Sequence, residues 1–147
     1  MEYPSIYTIG FTKKSAKEFV TKIKSAKIKK LIDIRLNNVS QLAGFAKKND
    51  LIYFLHEICD CDYRHEPLLA PTKEILDGYK KKHIDWVEYE RMFAKLLQGR
   101  EAYKLVNLEE INQSCLLCSE PTPEKCHRRL VAEYLEDHFK TLKIFHL

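Results

Sequence analysis

From Cys118 to Arg128 the chain reads Cys118-Ser119-Glu120-Pro121-Thr122-Pro123-Glu124-Lys125-Cys126-His127-Arg128. A carboxylate, an imidazole, two thiols and a guanidinium thus share one short stretch. Glu120 and His127 are the residue types of general acid–base work, given a pocket that tunes them. Asp33 is a second carboxylate for the same task. A carboxylate beside a ribose-like ring can also stabilise an oxocarbenium-like state, by the logic of glycoside cleavage. Arg35 and Arg128, with the free N–H groups of a helix start, suit a phosphate or carboxylate. The competing role for Arg35 is structural, paired with Glu120 or Asp33. Asp33 and Glu120 can likewise serve loop amides and arginines. Arg129 is expected to face solvent.

The chain has five cysteines, Cys59, Cys61, Cys115, Cys118 and Cys126. Cys126, at a helix N-terminus beside His127 and Arg128, is placed to have a lowered pKa and to act as a reactive thiol. Cys118 is the second candidate for thiol chemistry. Cys115-x-x-Cys118 followed by Cys126-His127 also invites a structural zinc. Two geometric points speak against it. Strand positions three apart face opposite sides, and adjacent residues are awkward joint ligands. No metal or other cofactor is therefore expected. Cys59 and Cys61 read as incidental thiols. Tyr63 and His65 can stack on or hydrogen-bond a base at a pocket rim. Trp86 and Tyr89 read as packing residues.

These groups need elements to hold them. Ser5-Ile6-Tyr7-Thr8-Ile9 reads as a strand closed by Gly10. Ser15 and Glu18 form a capping box, and Phe19, Val20, Ile23 and Ala26 give the following helix an apolar face. Leu31-Ile32-Asp33-Ile34 is a second, buried strand. A loop over residues 36–46 leads to a helix over residues 50–58, with Leu51, Phe54, Leu55 and Ile58 inward. Residues 62–65 read as a short strand, and residues 72–82 as a weaker helix. Asp85 and Glu88 open another helix that Gly99 ends, and residues 101–111 continue helical. Ser114-Cys115-Leu116-Leu117-Cys118 is a buried strand. The next helix is expected to take Thr122 as N-cap and Pro123 as its first residue, with Leu130, Val131, Tyr134, Leu135 and Phe139 inward. Residues 143–147 form a final strand.

Alternation of strands and helices predicts an α/β fold. It is a three-layer, mostly parallel open sheet, Rossmann-like, with helices on both faces. Such sheets bind ligands beyond the carboxyl ends of their strands. Gly10 and Thr12, Asp33 and Arg35, Cys118 and Glu120, and Cys126, His127 and Arg128 would all meet there.

With 147 residues and no Gly/Ser linker or repeat, the chain is read as one domain, 1–147. Apolar residues at 45% and charged residues at 31% exclude a disordered chain. No apolar run approaches a membrane span, and the first residues do not resemble a secretory signal. An odd cysteine count with no such signal points to reduced thiols in the cytoplasm. The net charge of +4 is too small to prove a nucleic-acid partner, although lysines cluster at residues 22–30 and 80–82. The bland reading of those clusters is solvated helix faces.

Thr8-Ile9-Gly10, Leu31-Ile32-Asp33-Ile34-Arg35, and above all Leu117-Cys118-Ser119-Glu120 with Cys126-His127-Arg128 resemble the family called "domain of unknown function 488". The resemblance spans nearly the whole chain and implies a fold and a site region, but no activity. Phe11 stands where that family commonly has a histidine. Leu36-Asn37-Asn38 stands where a proline is usual nearby. The Asp33-Ile34-Arg35 strand also looks faintly like the Asp-x-Arg strand of rhodanese-type sulfurtransferases, without their compact cysteine loop.

Three functions stay open. One is an enzyme acting on a nucleotide, a nucleic-acid base or another phosphorylated substrate. In it Arg35 and Arg128 hold the anion, and Glu120 and His127 work on the bond. Another is a non-catalytic module that binds nucleic acid or a nucleotide. The third is a redox or sulfur-transfer protein using Cys118 or Cys126.

Overall fold

The computed structural model describes residues 3–37, 47–120 and 123–147. Most of the loop expected over residues 36–46, together with Pro121 and the expected N-cap Thr122, lies outside the described residues. In chain order the elements are β1 (Ser5–Gly10), α1 (Ala16–Ser25), β2 (Lys30–Asp33), α2 (Lys48–Cys59) and β3 (Asp62–His65). There follow α3 (Lys73–Lys80), α4 (Trp86–Gly99), α5 (Leu108–Ile111), β4 (Ser114–Cys118), α6 (His127–Phe139) and β5 (Lys143–His146).

The strands form one sheet in the order β3-β2-β4-β1-β5, and its pairings are parallel. This is the expected three-layer α/β open sheet. Period-two alternation sorts its side chains into two core halves. Ile6, Ile32 and Leu116 pack with Phe93 and Leu97 of α4 and with Val131 and Leu135 of α6. Ile9, Leu31, Cys115 and Leu117 pack on the other face with Phe19 and Ile23 of α1 and Leu51 and Leu55 of α2. Burying each such aliphatic side chain stabilises by about 1.5–3 kcal/mol.

Local signals fix the helix starts. The Ser15 hydroxyl accepts from the Glu18 N–H at 3.1 Å, and Asp85 accepts from the Glu88 N–H at 2.8 Å. Thr72 caps α3 through the Ile75 N–H at 3.3 Å. Each such cap contributes about 1 kcal/mol.

Three expectations need correction. Residues 101–111 do not run as one helix. Ala102–Leu105 is a 3₁₀ turn, Val106 is extended at φ −137°, and α5 restarts under Asn107, whose side chain accepts from the Glu110 N–H at 2.8 Å. The Asn107 side chain offers the backbone this alternative to a continuous helix. Ile58 is 45% exposed rather than inward. It sits in the last turn of α2, which lies over the edge strand β3, where no further strand remains to be covered. The last long helix starts at His127, not Pro123. The Cys126 N–H closes a turn on the Pro123 carbonyl at 3.3 Å, so Cys126 becomes the N-cap. No helix among the described residues is long and apolar enough to cross a membrane.

Candidate functional site

β4 ends at Cys118 on the central part of the sheet, and α6 begins at His127 above it. Leu116 faces α4 and α6, so Cys118, two positions on, faces the same way. Cys126, as the extended N-cap, and His127, as the first helical residue, both turn toward it. The Cys126 thiol donates to the Cys118 sulfur at 2.6 Å, and Cys118 Sγ stands 3.3 Å from His127 Nδ1. His127 Nε2 lies 2.7 Å from the Ile34 carbonyl, which only accepts. Nε2 therefore carries a hydrogen, and Nδ1 is the nitrogen that faces sulfur. The Cys118, Cys126 and His127 ligand atoms all lie within 4.8 Å of one another, and all three residues are buried.

Burial alone would raise the Cys118 thiol. The Cys126 hydrogen bond, the His127 charge and hydrogen bond, and the Glu120 amide outweigh it and hold that thiol well below its ordinary range. Cys126 goes the other way. Burial raises it, and its bond to Cys118 and the charge there raise it further, against the Arg128 amide and charge. The expectation of a lowered Cys126 is thus corrected. The sulfur that collects donors is Cys118. Burial pushes His127 down, but the Cys118 charge and hydrogen bond, the Ile34 carbonyl and Asp33 bring it above its ordinary value.

Arg128, in the first turn of α6, is 0% exposed. Its Nη1 donates to the Glu120 carbonyl at 2.5 Å, whereas Nε and Nη2 have no partner among the described residues. The guanidinium passes directly over Gly10. A Cβ there would run into Glu120 O and Arg128 Nη1, so this close approach requires glycine. Burial lowers Lys14 and His146, and the Arg128 charge lowers both further.

On the α1/α2 face of the same edge, Asp33 is fully buried and saturated. It accepts from Arg35 Nε at 2.9 Å, Arg35 Nη2 at 2.8 Å, the Arg35 amide at 3.1 Å and the Tyr63 hydroxyl at 2.5 Å. The Arg35 carbon stands 5.2 Å above the Phe11 ring, and His65 Nε2 reaches the Arg35 carbonyl at 2.8 Å. Arg35 Nη1 alone is left without a partner among the described residues. Tyr63 and His65 are therefore engaged with Asp33 and Arg35.

The other expected groups fall as follows. The Thr12 N–H donates to the Ser119 carbonyl at 3.0 Å and ties the loop after β1 to the loop after β4. Glu120 is exposed. It is not paired with His127, whose two nitrogens are taken by Cys118 and Ile34. Arg129 is not simply solvated. It bridges Glu90 of α4 and Glu133 of α6. Cys115 and Cys118 do face opposite sides of the sheet, as spacing implied. The adjacency of Cys126 and His127, by contrast, does not keep them apart, because the backbone changes from extended to helical between them.

Two neighbours carried no sequence signal. The Ile34 carbonyl is backbone. Tyr89, buried and stacked on Trp86 at 4.7 Å, looked like packing alone. Burial first, then the Cys118 and Cys126 charges, push its hydroxyl pKa up. A groove of about 530 Å³ between α3 and α4 lies away from this cluster. Another of about 770 Å³ lies at the amino edge of the sheet.

A family model described as "Domain of unknown function DUF488" matches residues 15–135. No curated protein and no solved structure matches the chain.

Proposed function

The chain belongs to the DUF488 family, and we propose that it is an enzyme acting on a phosphate-bearing substrate anchored by Arg128 at the carboxyl edge of the sheet. The substrate class is a nucleotide, a nucleic-acid base or another phosphorylated molecule. The observation that carries this reading is the buried Arg128 guanidinium with Nε and Nη2 unpartnered. A buried charge without a counter-ion costs several kcal/mol. An anion that accepts from those two nitrogens recovers that cost. The location agrees with the general rule for open α/β sheets, and the α6 N-terminus adds its dipole. Glu120, exposed at the rim while its own carbonyl holds Arg128, is the acid–base candidate. Asp33 is committed to Arg35 and Tyr63 and serves as scaffold.

The test is thermal unfolding of reduced, metal-free protein against nucleotides, sugar phosphates, short oligonucleotides and inorganic phosphate. A ligand at about 100 times its dissociation constant stabilises by about 2.7 kcal/mol. A shift in wild type that disappears in Arg128→Met is the expected result. Glu120→Gln then separates roles. Binding kept with turnover lost assigns Glu120 to the chemistry, and binding without turnover in wild type makes the chain a binding module. A flat panel overturns the reading.

A further inference from the structure

We propose that Cys118, Cys126 and His127 form a zinc-binding centre with three protein ligands. Two sulfurs and one imidazole nitrogen already converge within 4.8 Å, inside the protein. Soft thiolate and imidazole donors select zinc over magnesium or calcium. The ring is also set for the task. His127 presents Nδ1 to the sulfur and gives its Nε2 hydrogen to the Ile34 carbonyl at 2.7 Å, the outer-shell bond that orients metal-binding histidines.

The geometry needs one adjustment. Zinc takes sulfur at about 2.3 Å and nitrogen at about 2.0–2.1 Å, so tetrahedral ligands stand roughly 3.5–3.8 Å apart. The Cys118–His127 separation of 3.3 Å is near that value. The two sulfurs, at 2.6 Å, must part by about 1 Å, within reach of a rotation about the Cys126 Cα–Cβ bond. Among the described residues no fourth His, Cys, Asp or Glu joins the group. Three ligands with a fourth position for water or another small ligand is the composition of a catalytic rather than a closed structural zinc site. This inference does not depend on the anion reading. Arg128 and the metal ligands are separate groups.

The experiment loads reduced, metal-free full-length chain with zinc, and in parallel with cobalt(II), in phosphate-free buffer. The expected result is one ion per chain and a cobalt spectrum with thiolate charge-transfer and tetrahedral ligand-field bands. Cys118→Ser and His127→Gln should weaken zinc at least about 100-fold, while Cys59→Ser, outside the cluster, should not. Because buried variants can unfold, the wild type supplies its own check: zinc should slow alkylation of Cys118 and Cys126 and leave Cys59 unaffected. Substoichiometric metal, a cobalt spectrum without thiolate bands, or unchanged alkylation of Cys118 and Cys126 overturns the proposal. Phosphate stabilisation measured in chelator stands or falls separately.

Discussion

The two faces of the sheet's carboxyl edge handle buried charge in opposite ways. On the α1/α2 face, Asp33 meets Arg35 through two nitrogens, and Tyr63 and the Arg35 amide fill its remaining acceptor sites. On the α6 face, Arg128 is as deeply buried and keeps two nitrogens without partners among the described residues. Although Arg35 Nη1 is left without a partner among the described residues, its charge is matched by the buried Asp33 carboxylate, and such a paired network explains itself as scaffold. An open one costs stability, and a ligand is the simplest thing to offset the cost. The same edge thus holds one arginine committed to a carboxylate, the structural alternative that the sequence left open for Arg35, and one with two nitrogens unpartnered among the described residues.

Several substitutions sharpen or break this contrast. Asp33→Ala leaves Arg35 charged and buried with no carboxylate, and should cost about 3–5 kcal/mol in urea unfolding. A loss below about 1 kcal/mol would remove the scaffold reading. Gly10→Ala forces the Glu120 carbonyl and Arg128 apart, so about 1–3 kcal/mol of overpacking is expected, together with loss of phosphate-dependent stabilisation. Arg128→Met should leave the ligand-free protein as stable as wild type or up to about 2 kcal/mol more stable, since it exchanges an uncompensated cation for an apolar side chain.

Away from the edge, Glu110 pairs with Lys30 at 2.9 Å and with Arg64 at 2.5 Å. Burial raises its pKa, but these bonds and charges bring it below the ordinary value. Its contribution is therefore fully present above the unfolded value of about 4.3 and is lost as pH falls through the lower folded value. The stability gap between wild type and Glu110→Gln should stay flat from neutral pH to about 5 and close below about 4. A gap unchanged at acid pH would contradict the pairing. The smallest expected effect is at His146, held down by burial and then by the Arg128 charge. Its imidazole titration, followed by NMR, should move up in Arg128→Met, and up again in wild type when phosphate binds. No movement in either would place Arg128 too far from the ligand or from His146.

Much of the fold was legible because its signals are local. Ser15 and Asp85 announce their helices, and the apolar runs around Ile32 and Leu116 announce buried parallel strands. Family membership was legible in Cys118, Glu120 and Cys126-His127-Arg128. Residues 101–111 were misread because helical spacing does not reveal a break at Val106 that Asn107 then recaps. The site was legible as a set of residues but not as a set of partnerships. Spacing could not show that Asp33 would be saturated by Arg35 and Tyr63, or that Cys126 and His127 would both reach Cys118. The Ile34 carbonyl that orients His127 has no side-chain signature at all.

The most direct test of the central claim compares wild type and Arg128→Met in equilibrium unfolding as inorganic phosphate is raised, with chelator present. The predicted lines cross. Without phosphate the variant equals or exceeds wild type, and at about 100 times the dissociation constant wild type gains about 2.7 kcal/mol while the variant gains nothing. Two parallel lines, with wild type the more stable at every concentration, would show that Arg128 is structural and that no anion is held there.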